Sequence, residues 1–135
     1  MADVLDPTSD FLAANILDPE KKYIAVDLDG TLAFYFGWSD DIGEPVPLML
    51  NRVKAWLLQG RPVCIFTARV CPPNPDKFRS IINAWCWKNL GQELPITCIK
   101  QHCMEEFWDD RGICVLPNTG TRSCIEDDEG EDEDS

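Results

Sequence analysis

Two aspartates, two residues apart, close a short apolar run: Tyr23-Ile24-Ala25-Val26-Asp27-Leu28-Asp29-Gly30-Thr31. The run reads as a buried strand with chemistry at its carboxyl tip. Side chains two apart on a strand share a face, so Asp27 and Asp29 project together into the space beyond the strand end. Two like charges held that close call for a cation. Gly30 lets the backbone turn sharply and leaves room for a ligand to approach. An Asp-Gly turn is common in isolation, so the weight falls on what else the chain delivers to the same place.

The elements that position these groups follow from periodicity. Pro47 to Gln59 is predicted helical, with Leu50, Val53, Trp56 and Leu57 on one face and Gly60 at the stop. Pro62-Val63-Cys64-Ile65-Phe66 reads as a second buried strand, ending at Thr67-Ala68-Arg69. Asn74 and Pro75 open another helix, in which Phe78, Ile81, Ile82 and Trp85 share a face before Gly91. Strands are then expected over Pro95 to Lys100, ending on a cation, over Glu106 to Asp110, ending on two acids, and last over Gly112 to Leu116. Strands alternating with helices predict a mainly parallel, Rossmann-like sheet in a three-layer α/β/α sandwich. Ligands bind such sheets beyond the carboxyl ends of the strands. Four successive strand ends here carry Asp27/Asp29, Thr67, Lys100 and Asp109/Asp110.

If those tips converge, Asp27 and Asp109, with a backbone carbonyl and water, make the all-oxygen shell that Mg²⁺ prefers. Lys100 and the Thr67 hydroxyl then hold a phosphate. Phosphoryl transfer needs an in-line nucleophile, charge neutralisation and a proton for the leaving alkoxide. Asp27 is the candidate nucleophile, forming an aspartyl-phosphate. Asp29 is placed to donate the proton and later to deprotonate water.

Through Asp27-Leu28-Asp29-Gly30-Thr31, Val63-Cys64-Ile65-Phe66-Thr67, Lys100 and Trp108-Asp109-Asp110-Arg111, residues 22 to about 117 resemble the haloacid dehalogenase (HAD) superfamily of phosphohydrolases. The resemblance implies that Asp27 is nucleophile and metal ligand, that Asp29 is acid/base and offers its carbonyl to Mg²⁺, and that Thr67 and Lys100 bind phosphate. It implies Asp109 as the direct metal ligand, with Asp110 behind it. Members that cleave carbon-halogen bonds lack the second aspartate, so the presence of Asp29 favours a phosphatase. Larger relatives insert a cap domain, for which the spacings from Thr31 to Thr67 and from Thr67 to Lys100 leave no room. The chain is therefore similar to small capless members, phage and bacterial ones among them, whose open site takes a substrate large enough to cover it or borrows cover from a neighbouring subunit. Arg69 is either a contact for the substrate or its phosphate, or a surface arginine. The aromatic stretch Phe34-Tyr35-Phe36-Gly37-Trp38 reads as a flap that either walls the site or packs on the core.

Composition bounds the rest. The 135 residues make one domain, here divided into an N-terminal extension (1–21), the HAD-like core (22–120) and an acidic tail (121–135). A few helical turns are expected over Phe11 to Leu17 with Ser9 as cap, and no chemistry attaches to them. The seven cysteines are odd in number and sit largely in apolar segments, which argues against a disulfide framework. Cys98, His102 and Cys103 lack the partners and spacing of a zinc site. Of the 24 acids, eight fall between Glu126 and Asp134, leaving 16 against 12 bases, a net of −4, for residues 1–125. Such a tail is expected to be disordered and to repel polyanions, which disfavours nucleic acid as a partner. No run approaches a membrane span, and the acidic start lacks the pattern of a secretory signal; the expected location is cytoplasmic. Two other readings stand beside the Mg²⁺-dependent phosphatase: a polynucleotide or nucleotide end-phosphatase, and a catalytically idle HAD fold used as a binding or regulatory module.

Overall fold

In a computed structural model, which describes residues 7 to 123, the central strand is β1 (Tyr23–Asp27), buried along almost its whole length. A strand covered on both faces has no solvent side, and Tyr-Ile-Ala-Val accordingly carries no alternation of polar and apolar residues. Around it lie β2 (Val63–Phe66), β3 (Ile96–Thr97) and β4 (Met104–Trp108), forming a four-stranded sheet in the order β3-β2-β1-β4. Every pairing is parallel.

Alternation along the strands divides the core. Ile24, Val26, Val63 and Ile65 face one side, where they meet Met49 and Val53 of α2 (Pro47–Leu58) and Phe78, Ile82 and Trp85 of α3 (Pro75–Leu90). Each such side chain contributes about 1.5–3 kcal/mol by leaving water. Tyr23, Ala25 and Cys64 face the other side, joined there by Leu17 and Met104, with Phe66 and Cys103 alongside. The two long helices therefore share a face, and the opposite face is covered thinly by the chain that follows α1 (Pro7–Ala14).

That N-terminal segment is tied down by polar groups. Asn15 is buried; its Nδ2 donates to the Phe11 carbonyl at 2.7 Å and its Oδ1 accepts from the Cys98 amide at 3.3 Å. Gln101 Nε2 donates to the Asn15 carbonyl at 2.6 Å, and Gln101 Oε1 accepts from the Leu17 amide at 3.1 Å. Ser9, expected as a cap, lies inside α1 instead. Helix α3 matches its reading, following Asn74 and closing on Gly91 at φ 76°. The expected strand over Gly112–Leu116 is absent from the sheet. Ile113 is 63 % and Val115 52 % exposed. The segment folds back on itself, with Leu116 N–H donating to the Thr121 carbonyl and Ser123 N–H to the Cys114 carbonyl. An apolar run alone does not make a strand when no neighbouring edge accepts its backbone bonds. The acidic tail from residue 124 onward lies outside the described residues.

Asn15→Ala removes the acceptor of the part-buried Cys98 amide and the buried Asn15 bond to the Phe11 carbonyl, a loss of about 1 kcal/mol or more. Urea unfolding is expected to show that loss, whereas truncating the exposed Leu58 should move the midpoint little.

Candidate functional site

Register builds the site. Asp27 pairs with Phe66, and Val26 with Trp108, so the residues that follow, Thr67 and Asp109, arrive level with the tip of β1. Phe66 pairs with Thr97, which brings Cys98 to the same edge. Asp27, Thr67, Asp109 and Asp110 accordingly line one cavity of about 380 Å³, together with Phe66, Cys71, Cys98 and Arg111.

Asp27 is the most perturbed group there. Burial, and next the neighbouring Asp110 carboxyl, push it from 3.8 up to about 7. Asp110 lies within hydrogen-bonding reach of it, the Leu28 amide pulls the other way, and Asp109 adds a smaller repulsion. Among the described residues no Lys, Arg or His lies within 4 Å of the carboxylates of Asp27, Asp109 or Asp110. Asp110 also presses on the turn after β1. A Cβ added to Gly30, which sits at φ +87°, would stand 2.5 Å from Asp110 Oδ2. Glycine is needed here both for its conformation and for the space it leaves.

Asp109 is placed differently from its neighbour. Its Oδ1 accepts from the Arg111 amide at 2.8 Å and from the Gly112 amide, which fastens the loop leaving β4. The carboxyl facing Asp27 most directly is thus that of Asp110, whereas the sequence reading puts Asp109 first. The acids also lie just past the strand, which ends at Trp108.

Asp29 and Arg69 form a separate unit. Arg69 Nε donates to Asp29 Oδ2 at 2.7 Å, and Nη2 to Oδ1 at 3.1 Å. Arg69 is only 4 % exposed; its guanidinium lies 4.4 Å from the ring centroid of Trp38, and Nη1 donates to the Ser39 carbonyl at 2.8 Å. It is neither a surface residue nor among those lining the Asp27 cavity. Thr67 Oγ1 accepts from the Arg69 amide at 3.2 Å, opening the 3₁₀ turn Ala68–Val70.

The flap after β1 is closed at its base by Phe34 N–H to the Glu44 carbonyl and Val46 N–H to the Leu32 carbonyl. Trp38 packs on Arg69 and edge-on to Phe78, while Phe36 is 93 % exposed. None of Phe34, Tyr35, Phe36 or Trp38 lines the Asp27 cavity.

Lys100 is not brought to Asp27. β3 ends at Thr97, whose Oγ1 accepts from the Ile99 amide at 3.0 Å and turns the chain early. Cys98 takes the place at the tip. Burial, and next a hydrogen bond with the Cys71 thiol, push Cys98 up to about 12, so it is a neutral thiol at pH 7. Exposed Lys100 instead lines an adjoining cavity that shares Phe66 and Asp109 with the first. Cys71, Cys98 and Phe66 are pocket residues that motif reading passed over; their position beside strand tips was the available signal.

A divalent cation suits this donor set. Three oxygen-bearing side chains crowd together without a paired base, and Mg²⁺ takes one or two carboxylates and completes its shell with water or carbonyls. Among the described residues no group of three or more His, Cys, Asp or Glu side chains is arranged to hold a metal ion. Asp27, with Asp109 or Asp110 and the Asp29 carbonyl, are the groups available.

For metal-free protein the pH dependence has a definite sign. Unfolded Asp27 loses its proton near its ordinary value and folded Asp27 near 7, so the contribution of Asp27 to stability falls as pH rises from about 4 to 7 and is level above. Asp27→Asn should exceed the parent by about 1–2 kcal/mol at pH 8, the linkage being weakened by partial exposure, and should match it near pH 4. Urea melts in EDTA at both pH values check this. A gap of the same size at each pH would remove the crowding argument.

Compared with protein-family models, curated proteins and solved structures, the chain finds no match in any of the three.

Proposed function

We propose that this chain is a Mg²⁺-dependent phosphomonoesterase of the HAD type, without a cap, working through an aspartyl-phosphate on Asp27. The observation that carries the reading is the meeting of Asp27, Thr67, Asp109 and Asp110 around one cavity at the carboxyl edge of a parallel sheet. Mg²⁺, when bound by Asp27, by Asp109 or Asp110 and by the Asp29 carbonyl, supplies positive charge for the phosphoryl oxygens.

The remaining steps belong to the chain. The Asp27 carboxylate attacks phosphorus opposite the ester oxygen, and the bond to the leaving alcohol breaks as the new one forms. Thr67 is the hydroxyl at this edge, and its backbone is fixed by a 2.9 Å bond to the Thr97 carbonyl. Asp29 gives the alkoxide its proton and then takes one from the water that cleaves the acyl-phosphate. For that it must be released in part from Arg69, so the Arg69–Asp29 pair sets when the acid is available. Lys100 serves the phosphate only if its loop swings toward Asp27.

Those two placements favour a second reading as well, a HAD-like fold that binds a phosphorylated ligand without turning it over. Purified protein with Mg²⁺ is expected to hydrolyse aryl phosphates. EDTA should abolish the activity reversibly, and Asp27→Asn should lower kcat by about 10⁴-fold or more. Unchanged turnover in that variant would end the proposed mechanism. Tight binding of a phosphate mimic with no hydrolysis across a substrate panel would select the binding module.

A further inference from the structure

We infer that the larger cavity beside the Asp27 pocket holds the leaving group, and that this group is a planar aromatic. The inference rests on the phosphatase reading for its phosphate end and on independent geometry for the rest.

The cavity measures about 770 Å³, within the range of small-molecule sites. Phe66, Phe107 and Ile113 supply its apolar wall. Phe66 and Asp109 belong to both cavities, so a phosphate ester seated at Asp27 has its alcohol directed along a continuous surface. Phe107 meets Phe66 edge-on with centroids 5.8 Å apart, yet it remains 39 % exposed. Ile113, across the opening, is 63 % exposed. Aromatic rings left unburied beside a reactive edge gain most from a planar partner, because ring–ring contacts add about 0.5–1.5 kcal/mol beyond area burial.

Charge does not select at this wall: Arg61 binds Glu106 at 2.9 Å and approaches Glu105 at 3.7 Å, and Lys100 Nζ lies 5.0 Å from the Phe107 centroid.

Two phosphonates that cannot be hydrolysed test this without relying on catalysis: 2-naphthylmethyl phosphonate and butyl phosphonate, titrated into wild type with Mg²⁺ by calorimetry. The naphthyl compound should bind at least about fivefold tighter. Phe107→Leu, which keeps bulk without the ring, and Phe107→Ala should remove most of that preference, with thermal melts confirming folded protein. Equal affinity for the two compounds, a preference that survives both variants, or no binding of either overturns the inference. Benzyl and butyl phosphate, both esters of primary alcohols, separate it from the reaction itself. Hydrolysis of both at equal kcat/KM leaves a phosphatase and sinks the aromatic site. Selective naphthyl binding lost in the Phe107 variants, with neither ester hydrolysed, keeps the site and sinks the phosphatase.

Discussion

The structure turns on the crowding of carboxyl groups at the tip of β1. Asp27 is buried at a strand end, faces Asp110, and lacks a basic partner among the described residues, so its proton is held to about 7. Strongly shifted carboxyls in clefts cluster at functional sites, and structural charge networks shift them as well. The space for this crowding is made by Gly30, whose missing side chain leaves room for the Asp110 carboxylate.

A few ångströms of chain away, the opposite arrangement holds. Arg69 is almost fully buried, and its guanidinium is satisfied by both oxygens of Asp29, by the Ser39 carbonyl and by the face of Trp38. Removing one partner of such a buried pair leaves the other charge stranded, which costs far more than the pair contributes. The unit also joins three segments: the loop after β1, the flap and the turn after β2. Asp27 and Asp29, two residues apart in sequence, thus meet opposite electrostatic surroundings. One faces acids and the other a base.

The two faces of the sheet are also unlike. α2 and α3 cover one with large aliphatic and aromatic side chains, whereas the other relies on Leu17, Tyr23 and Met104 and on the Asn15–Gln101 bonds. Toward the carboxyl edge that second face opens at Phe66 and Phe107 into the larger cavity. No helix among the described residues is long and apolar enough to cross a membrane.

The sequence by itself determined the parallel α/β arrangement, the limits of α3 between Asn74 and Gly91, and the gathering of Asp27, Thr67 and the Asp109–Asp110 pair. Those follow from local rules: buried runs, proline and glycine punctuation, and the period-two geometry that carries strand tips to one edge. Tertiary structure alone decided that Arg69 belongs to Asp29, that Asp110 crowds Asp27 more than Asp109 does, that Lys100 sits in the neighbouring cavity, and that Gly112–Leu116 stays out of the sheet. Each depends on where a turn ends and which charge lies across it. Thr97 accepting the Ile99 amide shortens β3 by enough to replace Lys100 with Cys98 at the tip. Sequence spacing cannot register a shift of two or three residues in a loop, yet such a shift decides which side chain meets which.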